Sequence, residues 1–147
     1  MTLWVLDTDS LSLLERGNPR IQERLQQVNA DSVAISIVTA EEKMKGRLAA
    51  INGLSGIERI DRLALAYRAL QSSIEDLQAL PILPFSELAT DRYRDLLQQK
   101  IRVGSHDLRI AAIVLSAEGI LVTRNCRDFE RVPGLRIDDW SLNLDEI

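Results

Sequence analysis

Leu3-Trp4-Val5-Leu6-Asp7-Thr8-Asp9-Ser10 sets an apolar run directly against a polar one. The first half suits a buried strand, and the second suits that strand's carboxyl end, where a helix departs. Ser10 can cap this helix, which then runs through Glu15 until Gly17 stops it. Strand, polar strand end and helix in that order begin an alternating α/β chain.

The pattern continues downstream. Asn18-Pro19 opens a second helix through about Val28, and residues 33–38 read as a buried, partly β-branched strand with Thr39 as the cap of the next helix. From about 40 to 79 apolar residues recur at helical spacing, including Leu63, Ala66, Leu70, Ile74 and Leu77, with breaks at Gly46 and Asn52-Gly53 that suggest a helical pair. Residues 81–85 form a short third strand that its prolines confine to a sheet edge, and Ser86 starts a helix to roughly Lys100. A loop through Val103-Gly104-Ser105-His106 leads into a helix from Asp107, apolar over much of its circumference and ending near Gly119. Residues 120–123 give a fourth strand, 125–129 a turn or short helix, and 135–137 a fifth strand. The fold class expected is α/β, with a central parallel sheet of about five short strands.

Composition bounds the rest. At 147 residues and 46% hydrophobic, the chain fits one domain over 1–147 with an ordinary core. A net charge of -4 argues against coating nucleic acid by bulk electrostatics, while leaving local basic patches open. Cys126 is the lone cysteine, so no intrachain disulfide can form, and Asp7 and Asp9 fall where a signal peptide would need an apolar run. A cytoplasmic protein is expected, and no stretch approaches the ~18 apolar residues of a membrane span.

Polar residues at the carboxyl ends of parallel strands face a common crevice. Asp7 ends the first strand, Glu42 lies one turn into the helix after the second, Asp107 opens the packed helix, and Asp128 follows the fourth strand. Folding can therefore gather four carboxylates at one edge. Anions held that close repel one another, and a divalent cation is the simplest reason to assemble them. Oxygen ligands favour magnesium or manganese, whereas one histidine and one cysteine cannot supply a usual zinc set or a nucleophile with its base. Each acid also has a plainer role. Asp7 could cap a helix, Asp107 could complement a helix dipole, Glu42 could be solvated with Glu41 as its rival, and Asp128 could cap a turn. His106 and Cys126 are read as non-catalytic.

Together, Asp7-Thr8-Asp9, Thr39-Ala40-Glu41-Glu42 with Gly46 four residues on, Asp107-Leu108-Arg109-Ile110-Ala111-Ala112 and Thr123-Arg124-Asn125-Cys126-Arg127-Asp128-Phe129 resemble the PIN-domain toxins of the VapC type. The resemblance runs through nearly the whole chain. It implies a three-layer α/β/α fold and hydrolysis of RNA phosphodiesters, tRNA among them, with Mg2+ or Mn2+. It implies Asp7, Glu42 and Asp107 as core acids, with Asp7 and Asp107 on the metal, and Thr8 and Thr123 as supporting hydroxyls. The fourth place is contested between Asn125 and Asp128, and Asp9 stands outside the core set. A VapB-type antitoxin and a homodimer formed by the middle helices are also implied. Lys43, Lys45, Arg47, Arg109, Arg124 and Arg127 could hold RNA at the rim.

Two other readings remain. Asp7-Thr8-Asp9 also resembles the Asp-x-Asp motif of haloacid-dehalogenase-type phosphatases, in which Asp7 would be the nucleophile, although no well-placed lysine follows Lys100. A catalytically inactive PIN-like module could instead receive a basic peptide in the same acidic groove.

Overall fold

The computed structural model describes residues 2–142. In chain order these form β1 (Trp4–Leu6), α1 (Thr8–Glu15), α2 (Pro19–Gln27), β2 (Val33–Ser36), α3 (Ile37–Asn52), α4 (Ile60–Gln78), β3 (Ile82–Leu83), α5 (Glu87–Gln98), α6 (Ser105–Ser116), β4 (Ile120–Val122), α7 (Cys126–Phe129) and β5 (Arg136–Asp138). Short 3-10 turns at Ala30–Ser32 and Ile57–Arg59 precede β2 and α4.

All strand pairs are parallel, in the order β3-β2-β1-β4-β5. The first strand is thus the middle one. The chain builds outward from β1 to β2 and β3, then crosses to the other side for β4 and β5. That reversal opens a crevice at the carboxyl end of β1, where parallel sheets bind their ligands. β3 sits at an edge, as Pro81 and Pro84 require.

Strand alternation divides the core into two layers. Val5 and Leu121 point into one, with Ala89 and Leu96 of α5 and six buried residues of α6. Leu6, Val33, Ile35 and Val122 point into the other, with Leu11, Ile21, Leu77 and Trp140. This is the expected three-layer α/β/α arrangement. Ala111 and Ala112 let α6 lie close on the sheet, and Gly119 brings the chain from α6 into β4. A Cβ at Gly119 would stand 3.2 Å from the Leu3 carbonyl oxygen and 3.3 Å from Val5 Cγ2, so any larger residue would need β1 to give by a few tenths of an ångström. Trp140 packs on Trp4 with ring centroids 5.4 Å apart, and Arg24 lies over the Trp140 ring, fixed to Asp138 at 2.7 Å.

Several expected boundaries move. The second strand ends at Ser36, not Val38, and the cap of α3 is Ser36 in place of Thr39: its hydroxyl accepts the Thr39 amide at 3.1 Å. Ile37 and Val38 are β-branched and extend a strand on propensity, but capping by Ser36 turns the chain first. The first helix begins at Thr8 with Asp7 as its cap, so Ser10 is inside the first turn. The fourth strand stops at Val122, and α6 starts at Ser105, placing Asp107 third in the helix. No helix among the described residues is long and apolar enough to cross a membrane.

Candidate functional site

Asp7 performs two structural tasks at once. Its amide donates to the Val122 carbonyl at 3.0 Å, extending the β1–β4 ladder, while its Oδ1 accepts the Ser10 amide at 2.7 Å and caps α1. Ser10, fully enclosed, donates its hydroxyl to the Val122 carbonyl at 3.0 Å and ties the first turn of α1 to β4. The Asp7 side chain is left at the foot of the crevice, with the residue only 6% exposed. Burial pushes its carboxyl above the ordinary range, against the lowering effect of hydrogen bonds to Thr123 and Ser10.

The β2–α3 corner repeats this logic with hydroxyls. Ser36 and Thr39 are fully buried, and Thr8 donates its hydroxyl to Thr39 Oγ1 at 3.2 Å, joining the starts of α1 and α3. Glu42 follows three residues later on α3. From the far side, α6 brings Asp107 in its first turn, held by a helix whose residues 110–114 are all buried. Burial raises the Asp107 carboxyl, and the charges of Glu42, Asp7 and Asp128 raise it further. The four expected carboxylates are therefore close enough to feel one another.

The loop after β4 supplies the last wall. Thr123 is fully buried, and its Oγ1 accepts the Asn125 amide at 2.9 Å. Asn125 donates its side-chain amide to Asp128 Oδ2 at 3.1 Å, leaving its carbonyl oxygen uncommitted to that bond. Arg124 grips Asp9 with two bonds of 2.7 and 2.9 Å, across 115 residues of sequence. The guanidinium holds the Asp9 carboxyl below the ordinary range.

These elements enclose a cavity of about 320 Å3 lined by Asp7, Thr8, Asp9, Glu42, Asp107 and Asn125, with Ser12, Ile110 and Phe129 completing the wall. Asp128 and Thr123 stand behind it: Asp128 takes the Asn125 amide, and Thr123 braces both Asp7 and the Asn125 backbone. Sequence reading took Ser10 only as a helix cap and Phe129 only as part of a motif, and it missed Ser12, Ser36 as the cap of α3, and the Asp9–Arg124 pair. The capping serines carried a local signal, but the pair carried none, because its members meet only in the folded chain.

Two relatives align along essentially their whole length. The tRNA(fMet)-specific endonuclease VapC of Shigella flexneri is 32% identical over 152 residues, covering 96% of this chain and 100% of its own. Its counterpart in Salmonella typhimurium is 30% identical over 145 residues, covering 95% and 99%. The chain belongs to the VapC ribonuclease family. Among solved structures, DNA-bound VapBC from Salmonella typhimurium superposes with a TM-score of 0.75 at 26% identity, over 95% of this chain and 99% of that one. No protein-family model matches the sequence. Full-length similarity to VapC sets aside the phosphatase reading of Asp7-Thr8-Asp9.

VapC membership brings a divalent cation into consideration, and the cavity can be tested for it. Every polar donor on its wall is an oxygen of a carboxylate, hydroxyl or amide, the set a hard cation prefers. Among the described residues no three Asp, Glu, His or Cys side chains stand close enough to share an ion. Magnesium does not need such a group, since it takes one or two carboxylates directly and keeps several waters. Burial raises both the Asp7 and the Asp107 carboxyl, and at Asp107 the neighbouring charges of Glu42, Asp7 and Asp128 add to it. The donor chemistry fits a magnesium or manganese ion.

Proposed function

We propose that this VapC-family endoribonuclease hydrolyses RNA phosphodiesters in the cavity formed by Asp7, Glu42 and Asp107, with magnesium or manganese as cofactor and tRNA as the substrate class. The observation that carries the reading is that acids from three distant segments line one cavity at the sheet's reversal point. Asp7, Asp107 and the carbonyl oxygen of Asn125 are assigned to the cation. Asp128 is assigned to orient Asn125 through its amide, a reading that gives the two contenders for the fourth place different roles and is supported by their 3.1 Å bond. Bound there, the cation would offset the clustered charge, polarise the phosphodiester and acidify an attacking water.

The chain's own residues do the positioning. Thr123 and the Ser10 amide fix the Asp7 carboxylate, and Thr8, held by Thr39, presents a hydroxyl at the cavity wall. Ile110 and Phe129 give the cavity an apolar side, where charges interact more strongly than in bulk water. Glu42 completes the oxygen set from α3.

The partners follow from the same family. The similarity to VapBC of Salmonella typhimurium supports a VapB-type antitoxin, with the pair acting in the cytoplasm. The exposed apolar residues of α4, among them Ile60, Leu65 and Tyr67, are assigned to a homodimer contact. The deciding assay follows tRNA cleavage by the purified chain with magnesium, with manganese and after chelation. Cleavage should need the metal and disappear in Asp7→Asn and Asp107→Asn variants that keep their helical circular dichroism. Full activity in both variants sinks the assignment, and an inert parent chain points to the binding-module reading.

A further inference from the structure

A second cavity, of about 670 Å3, opens beside the acidic one. Glu42 and Asp107 belong to the walls of both, so a strand lying across the carboxylates runs directly into it. Its remaining wall is Lys45, Gly46 and Ala49 of α3 facing Gly104, Ser105 and His106 at the start of α6.

Gly46 is the telling residue. It lies well inside the 16-residue helix α3, where glycine is poorer than alanine. Its φ is not positive, and an added Cβ would meet nothing within 4 Å. Neither backbone conformation nor packing asks for glycine, so a side chain here would simply project into open space that the cavity claims. The same holds for Gly104, whose added Cβ would also meet nothing within 4 Å. Missing side chains on both walls keep the space open.

The chemistry around that space is specific. One wall is the flat imidazole of His106, tethered to α3 by Glu41 at 3.5 Å. Lys45 supplies a positive charge, and α6 begins without a side-chain cap. Apolar faces with a cation and free donors at the margin match a nucleobase, which has a flat apolar face and a polar edge and is attached to a phosphate. Resting on the nuclease reading above, we propose that this cavity seats the base of the nucleotide next to the scissile phosphodiester, stacked on His106 and with Lys45 near its phosphate.

The test measures binding by fluorescence anisotropy and cleavage with magnesium, using a short mixed-sequence single-stranded RNA and derivatives abasic at each position in turn. In the parent chain, one abasic position should weaken binding about tenfold and lower cleavage in step. Gly46→Leu, and Ala49→Leu one turn further along α3, should bind the intact RNA as weakly as the parent binds that abasic RNA and become indifferent to the missing base. His106→Ala should lose about fivefold, and His106→Phe should restore stacking. Folding is not at issue for Gly46→Leu, whose melting temperature should rise because leucine is the better helix former. Unchanged base dependence in both cavity-filling variants overturns the base site and leaves the nuclease standing. Base-dependent, Gly46-sensitive binding without cleavage overturns the nuclease and leaves the base site. No RNA binding at all overturns both.

Discussion

Helices α6 and α4 are both rich in apolar residues and both carry an acid in the first turn, Asp107 in one and Asp61 in the other. Their fates differ. α6 buries six of its 12 residues between the sheet and α5, whereas α4, at 19 residues, buries Ser73 and Leu77 and leaves Leu65 61% and Tyr67 53% exposed. The contrast separates two uses of an apolar stripe. A helix packed on both sides cannot shift, so the acid at its start cannot retreat from neighbouring charge. A helix packed mainly on α3 offers surface for another molecule and holds no reactive group in place.

The largest effect should come from breaking the packed helix. Ile113→Ala should cost about 2–5 kcal/mol in urea denaturation, because the residue is fully buried and leaves a cavity. Leu65→Ala on α4 should cost about 0.5 kcal/mol or less. Equal losses at the two sites would erase the distinction. Next in size, Asp107→Asn should reduce RNA cleavage about a hundredfold or more, near 2.7 kcal/mol of barrier. Asp61→Asn, its positional twin on α4, should leave the rate within about twofold, and a matching loss there would remove the special standing of α6.

A smaller effect sharpens the electrostatic side. Asp7 and Asp107 have carboxyls raised in the folded chain, so folding favours their neutral forms. Their contribution is fully present below the ordinary carboxylate value of 3.8 and is lost as pH rises through the elevated folded values. Asp9 runs the other way: its lowered carboxyl stabilises above 3.8 and loses that contribution as pH falls through its folded value. Melting temperature of the metal-free protein, measured from neutral pH downward, should therefore rise in the parent relative to Asp107→Asn as pH falls through the elevated Asp107 value. Parallel curves would show that the carboxylates do not strain the fold. Smallest in catalytic effect, Leu65→Glu should leave cleavage within about twofold while lowering the sedimenting mass, as expected if α4 is a contact surface.

The alternating strands and helices, and the meeting of Asp7, Glu42 and Asp107 at one cavity, were readable because each rests on local pattern: an apolar run, a polar strand end, an acid one turn on. Caps were less readable. Asp7, Thr8 and Ser10 can each cap a helix, and only the closure of the ladder through Val122 selects Asp7. Ser36 lost to Thr39 in the sequence for a similar reason, since β-branched Ile37 and Val38 favour continuing the strand. The division of work proposed for Asn125 and Asp128 rests on a 3.1 Å side-chain bond that spacing cannot reveal. Asp9 and Arg124, at opposite ends of the chain, leave no periodic trace at all.

The central place of β1 bears on how such a protein is made. The strand ahead of Asp7 is synthesised well before its partner β4, with Ser10 and Val122 separated by 112 residues. Until β4 arrives, the middle of the sheet lacks one neighbour and Asp7 lacks its Thr123 brace. A chain synthesised only as far as α6 therefore carries some of the acids but no assembled site, and translation itself delays the appearance of a nuclease until β4 and the loop after it have been made.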